Sequence, residues 1–303
     1  MKTAANRYAV VVAYFLIYVV WGSTYYFIGV ALEGFPTFLL GALRFSVAGM
    51  LLLALCRMRG EQVFRPTLIR RSAVSGIVLL FIDMAVIMLA QRYVSSSLVA
   101  IVASSTAIWI MLLDVPMWRQ NFHHAGTVVG LVLGFVGVGM LYLEQVGTEG
   151  NAAPHGEYGI LILIAGCISW SLGSLYAKYR SSAAEAVNGF AGSGWQMLFA
   201  SLMFWLCVIC TGEWQETHFA SVPLTAWLSL AYLITCGSLL AYSAYVWLLK
   251  VRPATEVATH AYVNPVVAVV IGGLGGEEIT LTQLAGLTFI LGSILLVNRK
   301  RNY

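Results

Sequence analysis

Long apolar runs alternate with short polar stretches along the whole chain. Each run lasts about 20 residues, the length that an α-helix needs to cross a hydrocarbon core about 30 Å thick. The apolar–polar alternation of membrane β-strands is absent, so the pattern predicts an all-α integral membrane protein. It indicates ten transmembrane helices, near residues 8–30, 36–55, 73–91, 95–117, 125–143, 158–178, 188–211, 222–249, 255–273 and 281–297.

The first run is too long for the core of a signal peptide, and no small-residue cleavage site ends it, so we interpret it as an uncleaved first helix. Composition supports a membrane location. The chain has 60% hydrophobic and only 10% charged residues, with a mean hydropathy of +0.83. So little charge cannot cover a water-facing surface, which excludes a soluble enzyme, a nucleic-acid-binding module and a disordered protein. The five cysteines are an odd, membrane-embedded set rather than a disulfide framework.

The basic residues predict which side each loop faces. With the N-terminus inside, the inside segments hold all of the 17 Lys and Arg residues except Arg44, which lies within a span, and Arg92. Short loops rich in Lys and Arg stay on the cytoplasmic side, so both termini are predicted to be cytoplasmic at the cell inner membrane. The acidic residues favour the outer loops, and these are Glu33, Glu144, Glu149, Glu157, Glu213, Glu216, Glu277 and Glu278.

Spans 1 and 6 carry similar motifs, which suggests an internal repeat. Trp21-Gly22-Ser23-Thr24-Tyr25 and Trp170-Ser-Leu-Gly173-Ser174-Leu-Tyr176 both place a Trp before a Gly-Ser step and a Tyr after it. The alternative is that small residues recur wherever membrane helices pack closely. The repeat hypothesis divides the chain into helices 1–5 (residues 1–143) and helices 6–10 (residues 158–303). An odd number of spans per half inverts the second copy, as in many secondary transporters.

These motifs give the chain a family resemblance. It resembles the EamA-type transporters of the drug/metabolite transporter superfamily, closest to the YedA/PecM-like branch. The resemblance implies a ten-helix transporter of small metabolites whose usual direction is export. The family often has a proline midway along span 4, where this chain has Ala107. The matching pieces are Trp21-Gly22-Ser23-Thr24-Tyr25, Ala42-Leu-Arg44-Phe-Ser, Ser169-Trp170-Ser-Leu-Gly173-Ser174, Ala261-Tyr262-Val-Asn264-Pro265 and Gly275-Gly276-Glu277-Glu278-Ile-Thr280.

Three charged residues fall inside predicted spans, where a charge is costly unless it faces protein or water. Arg44 and Asp83 lie at the same depth, roughly 12 Å below the outer surface. We therefore expect a buried Arg44–Asp83 pair. Its role could be to brace spans 2 and 3, to bind a charged substrate group or to relay a proton. Asp114 lies near the cytoplasmic end of span 4, where it could reach interfacial water or Arg119.

Polar and aromatic residues inside the spans complete the candidate substrate site. Pro265 removes a backbone hydrogen bond, and a broken membrane helix is tolerated where it lines a cavity, so Asn264 could bind substrate there. His260 could act as a proton switch or as an ordinary packing residue. Deep aromatic residues and hydroxyls would suit an amphipathic or aromatic solute, although lipid-facing packing is the alternative for each Trp. The candidate substrate-binding residues are Trp21, Ser23, Thr24, Arg44, Asp83, Trp109, Trp170, Trp195, Tyr242, His260 and Asn264.

The predicted function is that of a secondary-active transporter that exports small metabolites or amphipathic compounds, amino-acid-like or aromatic, by alternating access. The sequence has no zincin motif, nucleophile elbow or phosphate-binding loop, so we predict no enzymatic activity, no cofactor and no metal. An importer or facilitator of similar solutes stays open, as do a membrane receptor and an intramembrane enzyme. The expected partners are a small-molecule substrate and the lipid bilayer, with proton coupling as one option and no nucleic acid. Monomer and homodimer are both compatible with the sequence.

Overall fold

A computed structural model describes residues 7–123, 125–147, 156–180, 189–252, 257 and 260–298, and the regular elements within these ranges are all helical. The all-α prediction is therefore confirmed for the described residues. Several residues singled out in the sequence have side chains outside the described part, among them Ala107, Gly173, Ser174, Tyr176 and Tyr262. The long helices are α1 (Arg7–Leu32), α2 (Thr37–Met58), α3 (Pro66–Ala90), α4 (Ser96–Leu113), α5 (Ala125–Gly147), α6 (Gly156–Arg180), α7 (Gly189–Thr211), α8 (residues 224–251), α9 (His260–Leu274) and α10 (Leu281–Asn298).

Seven of these helices are long and apolar enough to cross a membrane, judged on the described residues by length and composition. Three shorter apolar stretches, Gly156–Leu172, Val263–Leu274 and Leu281–Leu296, overlap predicted spans 6, 9 and 10. The count of ten spans and the inverted repeat therefore stay predictions. Many large apolar side chains point outwards, as lipid-facing residues do; Leu202 and Ile209 of α7 are 54% and 72% exposed.

Glu213, the first residue of a short helix (Glu213–Glu216) before α8, caps the first turn of α2. Its carboxylate accepts hydrogen bonds from the backbone N–H groups of Phe38 (3.3 Å) and Leu39 (2.7 Å). The first N–H groups of a helix have no partner within the helix, and an anion at this end is favoured by the helix dipole. Gly212, with a φ of 76°, turns the chain directly before this glutamate.

Glu277, in the turn before α10, caps α4 more completely. Oε1 accepts from the backbone N–H (3.1 Å) and hydroxyl (2.5 Å) of Ser96, and Oε2 accepts from the N–H (3.1 Å) and hydroxyl (2.6 Å) of Ser97. Gly276, with a φ of 94°, again precedes the glutamate. Gly272 makes room for the cap, because a Cβ there would collide with the Ser97 hydroxyl and the Glu277 carboxylate. Two Gly-Glu steps thus have the same structural role.

The chain forms two compact units, and each of them is built from two separate segments of the sequence. The first consists of residues 1–85 and 182–268, and the second of residues 86–181 and 269–303. Each unit takes residues from both predicted halves, 1–143 and 158–303. The division into two sequence halves rests on motif likeness and stays a prediction.

In the first unit, α7 packs along α2 and α3, and α8 packs against α1. The Phe204 ring is fully buried, stacked on Phe45 at 5.9 Å between ring centroids and edge-on to Phe81 at 4.8 Å. Gly41 allows this contact, since a Cβ there would lie 2.7 Å from the Phe204 ring. Close helix approach at small residues is the usual packing mode in membranes.

In the second unit, α10 packs along α5, and α6 packs against α4. Gly134 of α5 faces Ile108 and Ser293 within this unit, so it serves a contact within the chain. The helix α4 is interrupted at Ser105 although no proline is present there. Nearby carbonyls find partners on α6, where the Cys167 thiol donates to Val102 O at 3.7 Å. Asp114, expected near interfacial water, is buried at 1% exposure.

Candidate functional site

The structure sorts the eleven predicted site residues between the two units. Trp109 and Trp170 belong to the second unit. Trp109 packs edge-on against Phe135 at 5.2 Å, and Trp170 of α6 is half-buried. The residues in the first unit are Trp21, Ser23, Thr24, Arg44, Asp83, Trp195, Tyr242, His260 and Asn264.

Two π-helical segments form the framework of the candidate site in the first unit. Leu16–Val20 interrupts α1 and Leu233–Ala241 interrupts α8, and the two segments pack against each other. In the first of them the Trp21 N–H donates to Leu16 O, five residues back rather than four. Such segments leave backbone carbonyls without their usual α-helical partner and are frequent at functional sites. Carbonyls buried in a membrane protein need another donor.

Asn264 supplies donors to the π segment of α1. In the amide orientation that satisfies the surrounding acceptors, its two N–H groups lie within hydrogen-bond distance of three carbonyls, those of Ile17 (2.9 Å), Tyr18 (3.1 Å) and His260 (3.1 Å). The side chain is buried, at 8% exposure. Gly22 permits this close approach of α9, since a Cβ there would lie 2.7 Å from the side chain of Val267. Asn264 therefore binds the protein's own backbone in this structure.

Four rings pack together beside the two π segments, and we call Trp21, Tyr242, Tyr245 and His260 the aromatic cluster. The Trp21 ring lies 5.1 Å from Tyr245, 5.4 Å from His260 and 6.1 Å from Tyr242, measured between centroids. The Trp21 indole N–H donates to Gly237 O in the π segment of α8 at 3.1 Å. The sequence placed three of these residues in the site, and the structure brings those three together.

Gly237 also borders two other candidates. A Cβ at this position would lie 3.0 Å from Thr24 Cγ2 and 3.3 Å from Arg44 Nη2. Arg44 is buried, and its Nε donates to Ser238 Oγ at 2.9 Å. The π segment of α8 thus contacts Trp21, Thr24 and Arg44 over two consecutive residues.

The expected Arg44–Asp83 ion pair is absent from the described residues. The Arg44 guanidinium contacts Ser238, the Met84 thioether at 4.0 Å and the face of the Phe45 ring at 5.1 Å. Asp83, half-buried on α3, has no hydrogen bond or ion pair among the described residues. Equal depth in the membrane did not imply contact, because the direction in which each side chain leaves its helix is set by packing.

A chain of side-chain hydrogen bonds connects the aromatic cluster to α3. The Tyr242 hydroxyl donates to Gln196 Oε1 at 2.6 Å, and Gln196 Nε2 donates to Ser75 Oγ at 2.9 Å. The Ser75 hydroxyl in turn donates to Arg71 O at 3.0 Å. Gly76 leaves room for α7 here, because a Cβ there would collide with the backbone of Gln196. Gln196 therefore fixes the position of Tyr242 in the cluster.

We expect Tyr242→Phe to lower the free energy of unfolding by about 1 kcal/mol, because the Gln196 oxygen loses its donor. The measurement is thermal unfolding of the purified protein in detergent. Tyr26→Phe is the matched control, since the Tyr26 hydroxyl has no hydrogen-bond partner among the described residues. Equal Tm changes in the two variants would contradict the role given to Gln196.

The remaining candidates have local partners. The Ser23 hydroxyl donates to Val20 O at 2.7 Å and lies 2.6 Å from the Tyr232 hydroxyl, and the Thr24 hydroxyl donates to Trp21 O at 2.6 Å. Trp195 lies in a separate apolar cluster with Cys56 and Leu68, and its indole donates to Val63 O at 2.8 Å. It is positioned as a packing residue rather than beside the aromatic cluster.

Sequence reasoning missed Tyr245, Gln196 and Ser238. Tyr245 lies three residues after Tyr242, on the same helix face, so the spacing could have revealed it. Gln196 and Ser238 are polar residues inside apolar spans, which is itself a signal in a membrane protein. Their partners could not be read from the sequence.

The chain as a whole matches one family of membrane proteins. The model of the EamA-like transporter family matches residues 9–143 and 157–299. The chain belongs to the EamA-like transporter family. The resemblance stated from the sequence motifs is thereby confirmed. Members of this family are named as transporters, and the described helices of this EamA-like protein fit a multi-pass membrane protein.

Relatives support the same assignment. The inner membrane transporter YedA of Escherichia coli (strain K12) is 30% identical over 295 residues, which cover 94% of this chain and 89% of the relative. A probable amino-acid metabolite efflux pump of the same strain is 23% identical over 286 residues, covering 93% and 90%. A solved crystal structure with 18% identity has a TM-score of 0.65 and covers 98% of this chain and 99% of its own, which supports the fold alone.

Proposed function

We propose that this EamA-like protein is a secondary-active transporter that exports small amphipathic or amino-acid-like metabolites by alternating access across the cell inner membrane. The proposal includes ten spans, an inverted repeat and cytoplasmic termini. The observation that carries it is the aromatic cluster at two packed π-helical segments. Interrupted membrane helices and buried polar groups are typical of substrate sites in secondary transporters.

The hydrogen bonds of the first unit explain how such a site could be held together. Asn264 binds two carbonyls of the first π segment and Trp21 binds one of the second, which supplies donors where the α-helical pattern is interrupted. The aromatic rings give a surface suited to an apolar body of the substrate. The name of the efflux relative favours export of amino-acid metabolites over import.

The test is uptake by the purified protein in proteoliposomes, with a panel of amino acids and aromatic compounds, with and without a proton gradient. We expect uptake of at least one compound, and a change in its rate on collapse of the gradient if protons are coupled. Trp21→Phe removes the side-chain donor to Gly237 O and should lower the uptake rate by about tenfold, since this hydrogen bond joins the aromatic cluster to the π segment of α8.

Trp214→Phe is the matched control, because it makes the same chemical change at a side chain that is 49% exposed. This variant should keep the wild-type rate. Uptake of no compound by folded wild-type protein would count against a transporter. Equal losses of uptake in the Trp21 and Trp214 variants would count against the aromatic cluster as the site.

A further inference from the structure

Arg44 is a buried cation, with 5% of its side chain exposed, in the interior of α2. Among the described residues its guanidinium contacts the Ser238 hydroxyl, the Met84 thioether and the Phe45 ring, which are all uncharged. Among the described residues no carboxylate lies within ion-pair distance of the guanidinium. A buried charge left without a counter-ion is strongly unfavourable, so this arrangement calls for an anion that the described residues do not provide.

The guanidinium is oriented so that one of its edges has no strong hydrogen-bond acceptor among the described residues. A guanidinium has five N–H donors in a fixed plane. The hydrogen bond from Nε to Ser238 Oγ at 2.9 Å fixes that plane and uses the Nε edge. The other edge, formed by Nη1 and Nη2, meets only the weak thioether acceptor at 4.0 Å among the described residues. Two parallel N–H groups on one edge match the two oxygens of a carboxylate.

Gly237 lets α8 approach this edge of the guanidinium closely. A side chain at that position would begin 3.3 Å from Nη2, and the neighbouring Thr24 presents its methyl group there rather than a polar atom. The Thr24 hydroxyl is already bonded to Trp21 O. Apart from the Ser238 hydroxyl, the side-chain groups around the guanidinium are apolar or only weakly polar. Gly237 connects Arg44 to Trp21 of the aromatic cluster.

We infer that Arg44 binds a carboxylate of the transported solute and thereby makes the protein selective for amphipathic anions. Ser238 acts as a positioning residue that aims the free edge of the guanidinium. This inference rests on the proposed transport function and adds that the transported solute is negatively charged. The competing explanation is an internal one, in which Arg44 pairs with Asp83 in another conformation.

The experiment uses three probes that share the phenylalanine side chain and differ in charge: N-acetylphenylalanine (anion), its near-isosteric amide N-acetylphenylalaninamide (neutral) and the smaller phenylalaninamide (cation). Uptake into proteoliposomes gives KM and maximal rate for each. The expected result is a KM for the anion about tenfold lower than for the other two, as a charge-assisted bidentate contact implies. Arg44→Gln should remove that preference, and Arg44→Lys should keep part of it.

Two further variants keep the inference testable if Arg44→Gln does not fold. Ser238→Ala leaves the charge but releases its orientation, and should raise KM for the anion by about threefold while KM for the neutral probe stays the same. Asp83→Asn should leave the preference for the anion unchanged. Loss of the preference in Asp83→Asn, or an unchanged ratio of KM values in Ser238→Ala or Arg44→Gln, would overturn the inference.

The outcomes also separate this inference from the proposed function. Equal KM values of the wild-type protein for all three probes would overturn the inference alone, because transport would still be observed. Absence of uptake of every probe would contradict the proposed function for phenylalanine-like solutes, and the inference with it.

Discussion

Asn264→Asp is expected to lower the free energy of unfolding by about 3 kcal/mol, because it replaces a buried donor with an acceptor that faces the carbonyls of Ile17 and Tyr18. The shape of the side chain hardly changes, so lost packing cannot explain the result. Ile17 O and Tyr18 O lose the N–H groups that bind them at 2.9 Å and 3.1 Å. A carboxylate oxygen in the same place repels both carbonyls, and no water is at hand in the membrane interior to relieve this.

The measurement is thermal unfolding in detergent, together with uptake into proteoliposomes. Gln215→Glu makes the same amide-to-acid change at an exposed position and serves as the control. Asn264→Ala should be milder than Asn264→Asp, because it removes the donor without adding a charge. If Asn264→Asp unfolded at the wild-type temperature, or was milder than the alanine variant, the amide of Asn264 would not be the cap of the π segment.

Glu277→Gln is expected to lower the free energy of unfolding by about 2 kcal/mol. In the wild-type protein both carboxylate oxygens accept from Ser96 and Ser97 at the start of α4. The glutamine amide can present only one acceptor atom, so one pair of hydrogen bonds is lost. The negative charge that the positive end of the helix favours is lost with it.

Glu278→Gln is the control for Glu277→Gln, since the neighbouring side chain is exposed and makes no hydrogen bond among the described residues. We expect its Tm to match that of the wild type. Ser96→Ala together with Ser97→Ala should bring part of the loss by removing the two hydroxyl donors. Equal stability of the Glu277 and Glu278 variants would show that the cap does not stabilise α4.

The acidic residues outside the spans show what could not be predicted from the sequence. Their outward bias was used only to support the predicted topology, and Glu213 and Glu277 had no further role assigned. The structure makes both of them helix caps, each after a glycine with positive φ. A Gly-Glu step between two long helices is visible in the sequence, but the capped helices begin more than a hundred residues away along the chain. The step alone could not show which helix it would cap.

For the charged residues inside the spans, the sequence did lead to a specific prediction of a partner. Reading apolar spans and depth singled out Arg44 and Asp83 correctly as unusual residues, yet the expected pair between them was wrong. Helix depth follows from counting residues, whereas contact requires the rotation of each helix about its axis. The π-helical segments in α1, α3 and α8 change that rotation partway along the helix, and their positions were not predicted.

The sequence by itself determined that this protein is helical and is a membrane protein, and it named Trp21, Tyr242, His260 and Asn264 among eleven candidate substrate-binding residues. These conclusions depend on hydropathy and on motifs within short stretches, because partition of a helix into lipid is a property of about 20 consecutive residues. Only the tertiary structure decided that Asn264 caps Ile17 and Tyr18, that Trp21 binds Gly237 and that Arg44 has no acidic partner among the described residues. Such partners lie about two hundred residues apart, and they are chosen by helix packing, which no local pattern encodes.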